Sequence, residues 1–137
     1  MFPRSENIKH LAYHDNLTGL LNRNWLHKNI NKVNTKYVYF IDINDMKKAN
    51  KRGHVFGDRH IVNIVNSIPV DKTEPFIRYG GDEFVLLSNI NDKIDTNELY
   101  SVGKFELNGD LSESINFADE LMIENKRLYK LKNENKS

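Results

Sequence analysis

The first half of the chain has a pattern of hydrophobic positions that predicts a helix, a buried strand and a second helix. Asn22 or Asn24 can cap the first helix, whose apolar residues share one face: Leu26, Ile30 and Val33. Residues 37–42 are β-branched and aromatic, which is typical of a buried strand. A polar stretch over residues 44–57 separates this strand from residues 58–67, where apolar side chains recur at helical spacing.

The middle of the second half predicts a hairpin and a further strand. Residues 76–79 and 82–87 are two strand-like runs joined through a Gly-Gly pair, which predicts a β-hairpin. Residues 88–99 are polar and do not favour a full helix. Residues 100–106 have the composition of another strand.

A last helix completes the predicted order of helix, strand, helix, hairpin, strand, helix. Ser112 or Ser114 can cap it, and its apolar residues are Ile115, Ala118, Leu121, Met122 and Leu128. This order predicts an α+β fold, with an antiparallel sheet covered by helices on one face. We expect a single domain over residues 1–137, with its core at about residues 14–130.

Composition excludes several classes of function. Hydrophobic residues make up 39% and charged residues 28% of the chain, which is typical of a globular domain. The net charge of +1 gives no broadly basic surface, so we expect no DNA partner. The absence of cysteine excludes disulfides, thiolate catalysis and thiolate zinc sites. The apolar runs are too short to cross a bilayer and the first residues lack a signal peptide, so we expect a cytoplasmic protein without direct membrane contact.

Two acidic sites are candidates for chemistry. Asp42 ends a predicted strand, while Asp82 and Glu83 follow a hairpin tip at which Gly80 and Gly81 would let a substrate approach the backbone. If the strands are neighbours, about 4.8 Å apart, the carboxylates converge. Clustered carboxylates favour Mg²⁺ and its phosphate-bearing substrates, although each acid is equally open to interpretation as a solvated turn residue. Three lysines are candidates for contacts with phosphate: Lys47, Lys126 and Lys130.

Four motifs, in order along the chain, carry a resemblance to a known family. The sequence Arg-Tyr-Gly-Gly-Asp-Glu-Phe at residues 78–84 resembles the signature of the GGDEF nucleotide-cyclase domains. Residues 14–23 resemble the family's entry motif, residues 40–58 its metal-binding and base-reading segment, and residues 118–130 its closing helix. The resemblance covers nearly the whole chain and implies the family's palm-like, ferredoxin-like α+β fold in a compact form.

The resemblance also implies a catalytic and metal site. Asp42, Asp82 and Glu83 would be the catalytic residues, with Asp82 near the attacking ribose hydroxyl. Asp42 and Glu83 would hold the metal ions, Mg²⁺ or Mn²⁺ and two in each active site, and the main-chain carbonyl of Ile43 would be a further ligand.

The same resemblance implies the nucleotide contacts and the partners. Lys126 and Lys130, with Lys47, would hold the triphosphate, while Asn50 and Asp58 would face the base. Each protomer of a homodimer would bind one nucleoside triphosphate, and each ribose hydroxyl would attack the α-phosphate of the facing nucleotide.

Three departures from the family pattern lie in or near these motifs. Between residues 87 and 100 the family carries a full helix, where this chain has only a polar dozen residues. Asn44 replaces the usual second aspartate of its motif, and the segment 50–53 is one residue tighter, with Lys51 where a second acid is common. The shorter segment shifts the Asn50 amide relative to the base that it is expected to contact.

Two further departures concern regulation. The Arg-x-x-Asp motif of product inhibition is replaced by Asp71 and Glu74, an acidic pair expected to repel an anionic dinucleotide. We also expect no sensor domain before residue 14. These features favour similarity to the minimal CRISPR polymerases, which are standalone palm domains linked to anti-phage defence.

That similarity implies a cyclic dinucleotide second messenger made from ATP, favoured over GTP, and a downstream effector that binds it. The alternative is a diguanylate cyclase that makes cyclic di-GMP from GTP, and a further alternative is a catalytically dead, nucleotide-binding GGDEF module. The base-facing residues leave the choice open, because the Asp58 carboxylate suits the N–H donors of guanine and the Asn50 amide suits adenine.

Overall fold

The computed structural model describes residues 11–134, so the first ten residues of the expected lead lie outside the described part. The elements are α1 (Arg23–Asn29), β1 (Tyr37–Ile43), α2 (Met46–Asn50), α3 (His54–Ser67), β2 (Phe76–Arg78), β3 (Glu83–Ser88), β4 (Tyr100–Glu106) and α4 (Leu111–Glu134). None of the helices described is both long and apolar enough to span a membrane.

The four strands form one antiparallel sheet in the order β2-β3-β1-β4. The central strand β1 pairs with β3 on one side and with β4 on the other. The hairpin of β2 and β3 therefore lies next to the strand that ends near Asp42, and the predicted α+β fold is confirmed. The order is that of a ferredoxin-like sheet.

Helices cover both faces of this sheet, so the expectation of helices on one face is wrong. On one face, Tyr39, Ile41 and Ile43 of β1 pack with α3. On the other face, Val38 and Phe40 pack with α1 and α4. The sequence of β1 carries this information as a continuous apolar run, because a strand that is buried on both faces does not alternate with polar residues.

The polar stretch after β1 is helical rather than irregular. It contains the short helix α2 and the start of α3, which begins at His54 and not at residue 58 as predicted. Gly53 separates the two helices with φ of 108°, in a region that glycine adopts without strain. The first turns of α3 are largely exposed, so no apolar periodicity marks them in the sequence.

The connection from β3 to β4 has no helix, as the sequence predicts. It covers the same sheet face as α3, where Ile94 packs against the core. The buried Tyr39 fixes it, because its hydroxyl donates to the Ile90 carbonyl and accepts a hydrogen bond from the Lys93 backbone N–H at 3.1 Å.

Helix α4 lies directly on β4, where the strand has a glycine. A Cβ at Gly103 would overlap the backbone of α4 at Ala118 and Met122. One turn further along α4, the Asn125 side-chain amide donates to the Val102 carbonyl at 2.9 Å. This close contact fixes the height of α4 over the sheet and so places Lys126 above the end of β1.

Candidate active site

Three carboxylates converge where β1 ends beside the hairpin. Asp42 and Glu83 are direct partners in the antiparallel register of β1 and β3. The Ile43 backbone N–H donates to the Asp82 carbonyl at 2.9 Å, which fixes the hairpin against β1 at the same point. The convergence that was conditional on the strands being neighbours is therefore present.

The glycine turn before Glu83 is shaped by its own backbone. The N–H groups of Tyr79 and Gly80 both donate to the Glu83 carbonyl, at 2.8 and 3.1 Å. A Cβ at Gly80 would overlap the Glu83 carboxylate, so the side chain of Glu83 lies over the turn. Gly81 has open space in front of it, which leaves the backbone accessible.

An ion pair from the entry motif supports this turn. Arg78 donates from Nε and Nη2 to the Gly81 carbonyl, at 3.2 and 2.7 Å. Its Nη1 donates to both carboxylate oxygens of Asp15, at 3.1 and 3.2 Å. Burial would raise the pKa of Asp15, but hydrogen bonds from Thr18 and the Arg78 charge outweigh it and lower the pKa below its ordinary value. The sequence alone indicates no role for Asp15, although Asp15 lies in the entry motif that carries part of the resemblance.

The carboxylates at the site disfavour one another's ionised forms. Burial raises the pKa of Asp42, and the nearby Asp82 adds to the rise, while Lys126 opposes it. Burial also raises the pKa of Glu83, followed by the negative charges of Asp119 and Asp82. Such repulsion is relieved by a cation.

Asp119 on α4 is an acid of this site that sequence reasoning missed. Its pKa is raised by burial and by the charge of Glu120. It acts on Glu83 because α4 packs over β4 and over β1, the strand that pairs with β3. No local sequence pattern encodes this relation between distant segments. The signal for it in the sequence is its place in the closing-helix motif, which also contains Lys126 and Lys130.

Lys126 pairs directly with Asp42. Its Nζ lies 2.7 Å from Asp42 Oδ2, and the Asp42 side chain is only 13% exposed. The resemblance implied a triphosphate contact for this lysine, and the structure places it between the carboxylates and the neighbouring cleft.

The cleft beside the carboxylates has a volume of about 980 Å³. Five lysines line it, namely Lys47, Lys48, Lys51, Lys126 and Lys130, together with Ile43 and Asp82. Three lysines expected to hold phosphate are thus in one cleft that reaches the acidic turn. Such a concentration of positive charge suits a polyphosphate.

The two residues expected to face the base do not line this cleft. Asn50 ends α2, and its side chain lies against Gly57 so closely that a Cβ there would overlap its Oδ1. Asp58 is on the next helix, and both residues are exposed. Their role in base recognition stays a prediction.

Asn44, which replaces the usual aspartate, ties the end of β1 to the shortened connection. Its amide donates to the carbonyls of Asn97 and Glu98, at 3.2 and 3.1 Å, and its Oδ1 accepts from Ser101 at 3.0 Å. An aspartate has no N–H to donate to these carbonyls. The asparagine at position 44 therefore holds residues 97–101 against the end of β1 with hydrogen bonds that an aspartate could not all make.

The expected acidic pair at the inhibition motif is not a free pair of charges. Glu74 is almost buried, with an ion pair to Lys93 at 2.7 Å and a hydrogen bond from Ser88. Only Asp71 is exposed. The interpretation of Glu74 as a group that repels an anionic dinucleotide is wrong, because Lys93 neutralises it.

The donor set at the end of β1 fits a hard divalent cation. Within residues 11–134, no three His, Asp or Glu side chains are arranged to hold a metal by themselves. Asp42 and Glu83 nevertheless supply two neighbouring carboxylates, and the Ile43 carbonyl is next to them. Two carboxylates completed by water and substrate phosphates are the usual ligands of Mg²⁺.

Comparison with known proteins identifies the family. The family model described as diguanylate cyclase, GGDEF domain, matches residues 12–107. The chain belongs to the GGDEF domain family. Diguanylate cyclase TpbB of Pseudomonas aeruginosa is 34% identical over 91 residues, which are 58% of this chain and 21% of that protein. Cyclic di-GMP phosphodiesterase PdeR of Escherichia coli is 33% identical over 96 residues, 61% of this chain and 14% of that protein.

A solved GGDEF protein has the same fold. The crystal structure of diguanylate cyclase SiaD of Pseudomonas aeruginosa, in complex with its activator SiaC, matches with a TM-score of 0.73 and 25% identity. The match covers 90% of this chain and 61% of SiaD. This GGDEF chain thus spans less than a quarter of TpbB and PdeR, and these relatives give no support to the expected minimal CRISPR polymerase subtype.

Proposed function

We propose that this GGDEF domain is a diguanylate cyclase that condenses two GTP into cyclic di-GMP and releases two pyrophosphates. The observation that carries the proposal is the pairing of Asp42 with Glu83 across β1 and β3, beside the lysine cleft. The names of TpbB and SiaD support the choice of GTP over the ATP that we expected from the sequence.

The lysine cleft is the site for the triphosphate in this proposal. Lys126 and Lys130 are one helical turn apart on α4, so their ammonium groups extend from the same face. Lys47 lies across the cleft on α2. Cations on two sides hold the α-phosphate in place and prepare it for attack, which contributes much of the rate in phosphoryl transfer.

Asp82 is the group nearest to the attacking hydroxyl in this arrangement. The ribose oxygen forms a bond to the α-phosphorus of the facing nucleotide, and the bond from that phosphorus to the β-phosphate bridging oxygen breaks. The hydroxyl proton passes to a carboxylate, for which Asp82 is our candidate, and pyrophosphate leaves. Two such steps close the ring.

Asp42, Glu83 and the Ile43 carbonyl would hold Mg²⁺. When bound, the ion polarises the α-phosphate and lowers the pKa of the attacking hydroxyl. Burial, and after it the neighbouring negative charges, raises the pKa values of Asp42 and Glu83, and a divalent cation would favour their ionised forms.

Guanine recognition rests on Asp58 and Asn50 in this proposal. A carboxylate accepts hydrogen bonds from the N1–H and N2–H groups of guanine, which adenine lacks. One argument for an adenine nucleotide was the acidic pair at residues 71 and 74, and it loses its force because Lys93 neutralises Glu74.

A competition among the four nucleoside triphosphates at equal concentration, with Mg²⁺, tests the proposal. We expect GTP to be consumed and cyclic di-GMP to be identified by mass spectrometry. Asp42→Ala should abolish product, whereas Asp92→Asn, at an exposed acid that pairs with Lys104, should retain it. Consumption of ATP alone would instead support an adenine cyclase, and the absence of any product would support a binding module.

A further inference from the structure

Arg23 is a cation beside the glycine turn that the reaction above does not use. It is the first residue of α1, and its guanidinium carbon lies 4.1 Å from the centre of the Tyr79 ring. Tyr79 is itself held by an edge-to-face contact with the buried Phe40, with ring centres 5.6 Å apart. The stacking contact gives the exposed guanidinium a fixed position.

The hydrogen-bond donors of Arg23 are unused within the described part of the chain. The neighbouring Arg78, by contrast, donates hydrogen bonds to Asp15 and to the Gly81 carbonyl. Arg23 has neither a hydrogen bond nor an ion pair in residues 11–134, apart from the long-range attraction of its charge to Glu83. A guanidinium that is positioned and unpaired matches the geometry of phosphate oxygens.

Arg23 lies on the other flank of the turn from the lysine cleft. It lines a pocket of about 380 Å³ with Arg78, Tyr79, Gly80 and Gly81. The lysine cleft reaches the turn through Asp82 and shares no lining residue with this pocket. The acidic turn therefore has a separate cationic group on each side.

We propose that Arg23 binds the phosphate of the nucleotide held by a second copy of this chain. This inference rests on the proposed function, in which two copies face each other through their acidic turns. The lysines of the cleft hold the nucleotide of their own protomer. A cation on the opposite flank of the turn lies where the facing α-phosphate must approach the attacking hydroxyl.

In this position Arg23 is a catalytic residue that acts across the dimer. As the ribose oxygen bonds to the facing α-phosphorus and pyrophosphate leaves, negative charge grows on the phosphate oxygens, and the guanidinium donates hydrogen bonds to them. Arginines supplied from a partner at phosphoryl-transfer sites contribute rate factors of about 10³ or more. We expect Arg23→Ala to lower turnover at least about 10²-fold, with partial rescue by Arg23→Lys.

Mixing the impaired Arg23→Ala variant with the inactive Asp42→Ala variant tests the action across the dimer. In a heterodimer of Arg23→Ala and Asp42→Ala, one site keeps its own carboxylates and receives Arg23 from its partner. We expect the heterodimer to form one phosphodiester bond, so that the mixture accumulates a linear dinucleotide much faster than either variant does alone. If Arg23 served its own protomer, both sites of the heterodimer would be defective, and a mixture without linear product would overturn the proposal.

Two controls make each outcome informative. Wild type mixed with excess Asp42→Ala must also yield the linear dinucleotide, which verifies that subunits exchange. Arg127→Ala, which removes an exposed arginine from α4, should keep wild-type turnover. Equal turnover of wild type and Arg23→Ala would overturn the inference about Arg23 and leave the proposed function intact. A wild type that makes no dinucleotide would overturn both.

Discussion

Carboxylates are held close together at the end of β1, and their mutual repulsion is a cost to the fold. Glu83 lies over the turn at Gly80 and opposite Asp42 in the sheet, within the influence of Asp119. Lys126 neutralises the charge of one of these carboxylates, Asp42, through an ion pair. The remaining charge is what makes the site suitable for a divalent cation and a triphosphate.

Glu83→Gln should stabilise the fold at neutral pH while it abolishes turnover. The pKa of Glu83 is raised on folding, so the unfolded chain releases this proton first and stability falls as pH rises above the ordinary value of 4.5. In EDTA at pH 7 we expect a higher Tm for Glu83→Gln than for wild type. The difference should disappear below pH 4.5, where the carboxyl is protonated in both states.

The matched control is Glu106→Gln at the exposed end of β4. It removes the same charge far from the other carboxylates and should leave Tm nearly unchanged. A lower Tm for Glu83→Gln at pH 7 would contradict the account of repulsion at the site.

The sequence motifs predicted Asp42, Asp82, Glu83 and the lysines as one group, and the structure brings them together. Asp119 and Arg23 could not be placed in the same way. Their proximity to Glu83 depends on how α4 and α1 pack on the sheet, and these contacts join segments far apart in the chain. Only the packed fold contains that information.

At the level of elements, the connection from β3 to β4 lacks the helix that the family resemblance implies. It has no helix, and it is held instead by Tyr39, by Asn44 and by the ion pair of Lys93 with Glu74. The absence of a helix was predictable from its polar sequence. The start of α3 at His54 was not, because its first turns are exposed and carry no apolar repeat.

Lys93→Met should destabilise the domain at neutral pH. The side chains of Lys93 and Glu74 are only 11% and 9% exposed, so the variant leaves a nearly buried carboxylate without its cation. We expect a loss of roughly 1–3 kcal/mol in the free energy of unfolding, measured by urea denaturation at pH 7.

The loss should depend on pH in a defined direction. Burial alone would raise the pKa of Glu74, but Lys93 and Ser88 lower it below 4.5, so the stabilisation is present above that pH and is lost as pH falls through the folded value. Asp92→Asn, which breaks the exposed ion pair with Lys104, is the control and should change stability little. Equal effects of the two variants at pH 7 would contradict the structural role of Lys93.

For the whole molecule, helices cover both faces of the sheet, and the candidate site lies at one end of the strands. There β1 ends beside the turn of the hairpin. The strand order is implied only by the resemblance to a family with a ferredoxin-like fold. The α+β class follows from the sequence of elements. The coverage of the second face does not, because a fully apolar strand such as β1 is compatible with several arrangements of helices around it. A site at the ends of the strands can face the same site of a second copy.

The rate of pyrophosphate release from GTP and Mg²⁺, followed as the protein is diluted, tests the central claim most directly. Each GTP loses one pyrophosphate when its α-phosphate is attacked, so we expect one pyrophosphate for each GTP consumed. Each bond also requires two facing copies of the chain. The rate should fall with about the square of protein concentration once the dimer dissociates. Specific activity that stays constant in a monomeric sample, or GTP consumption that releases no pyrophosphate, would contradict the account.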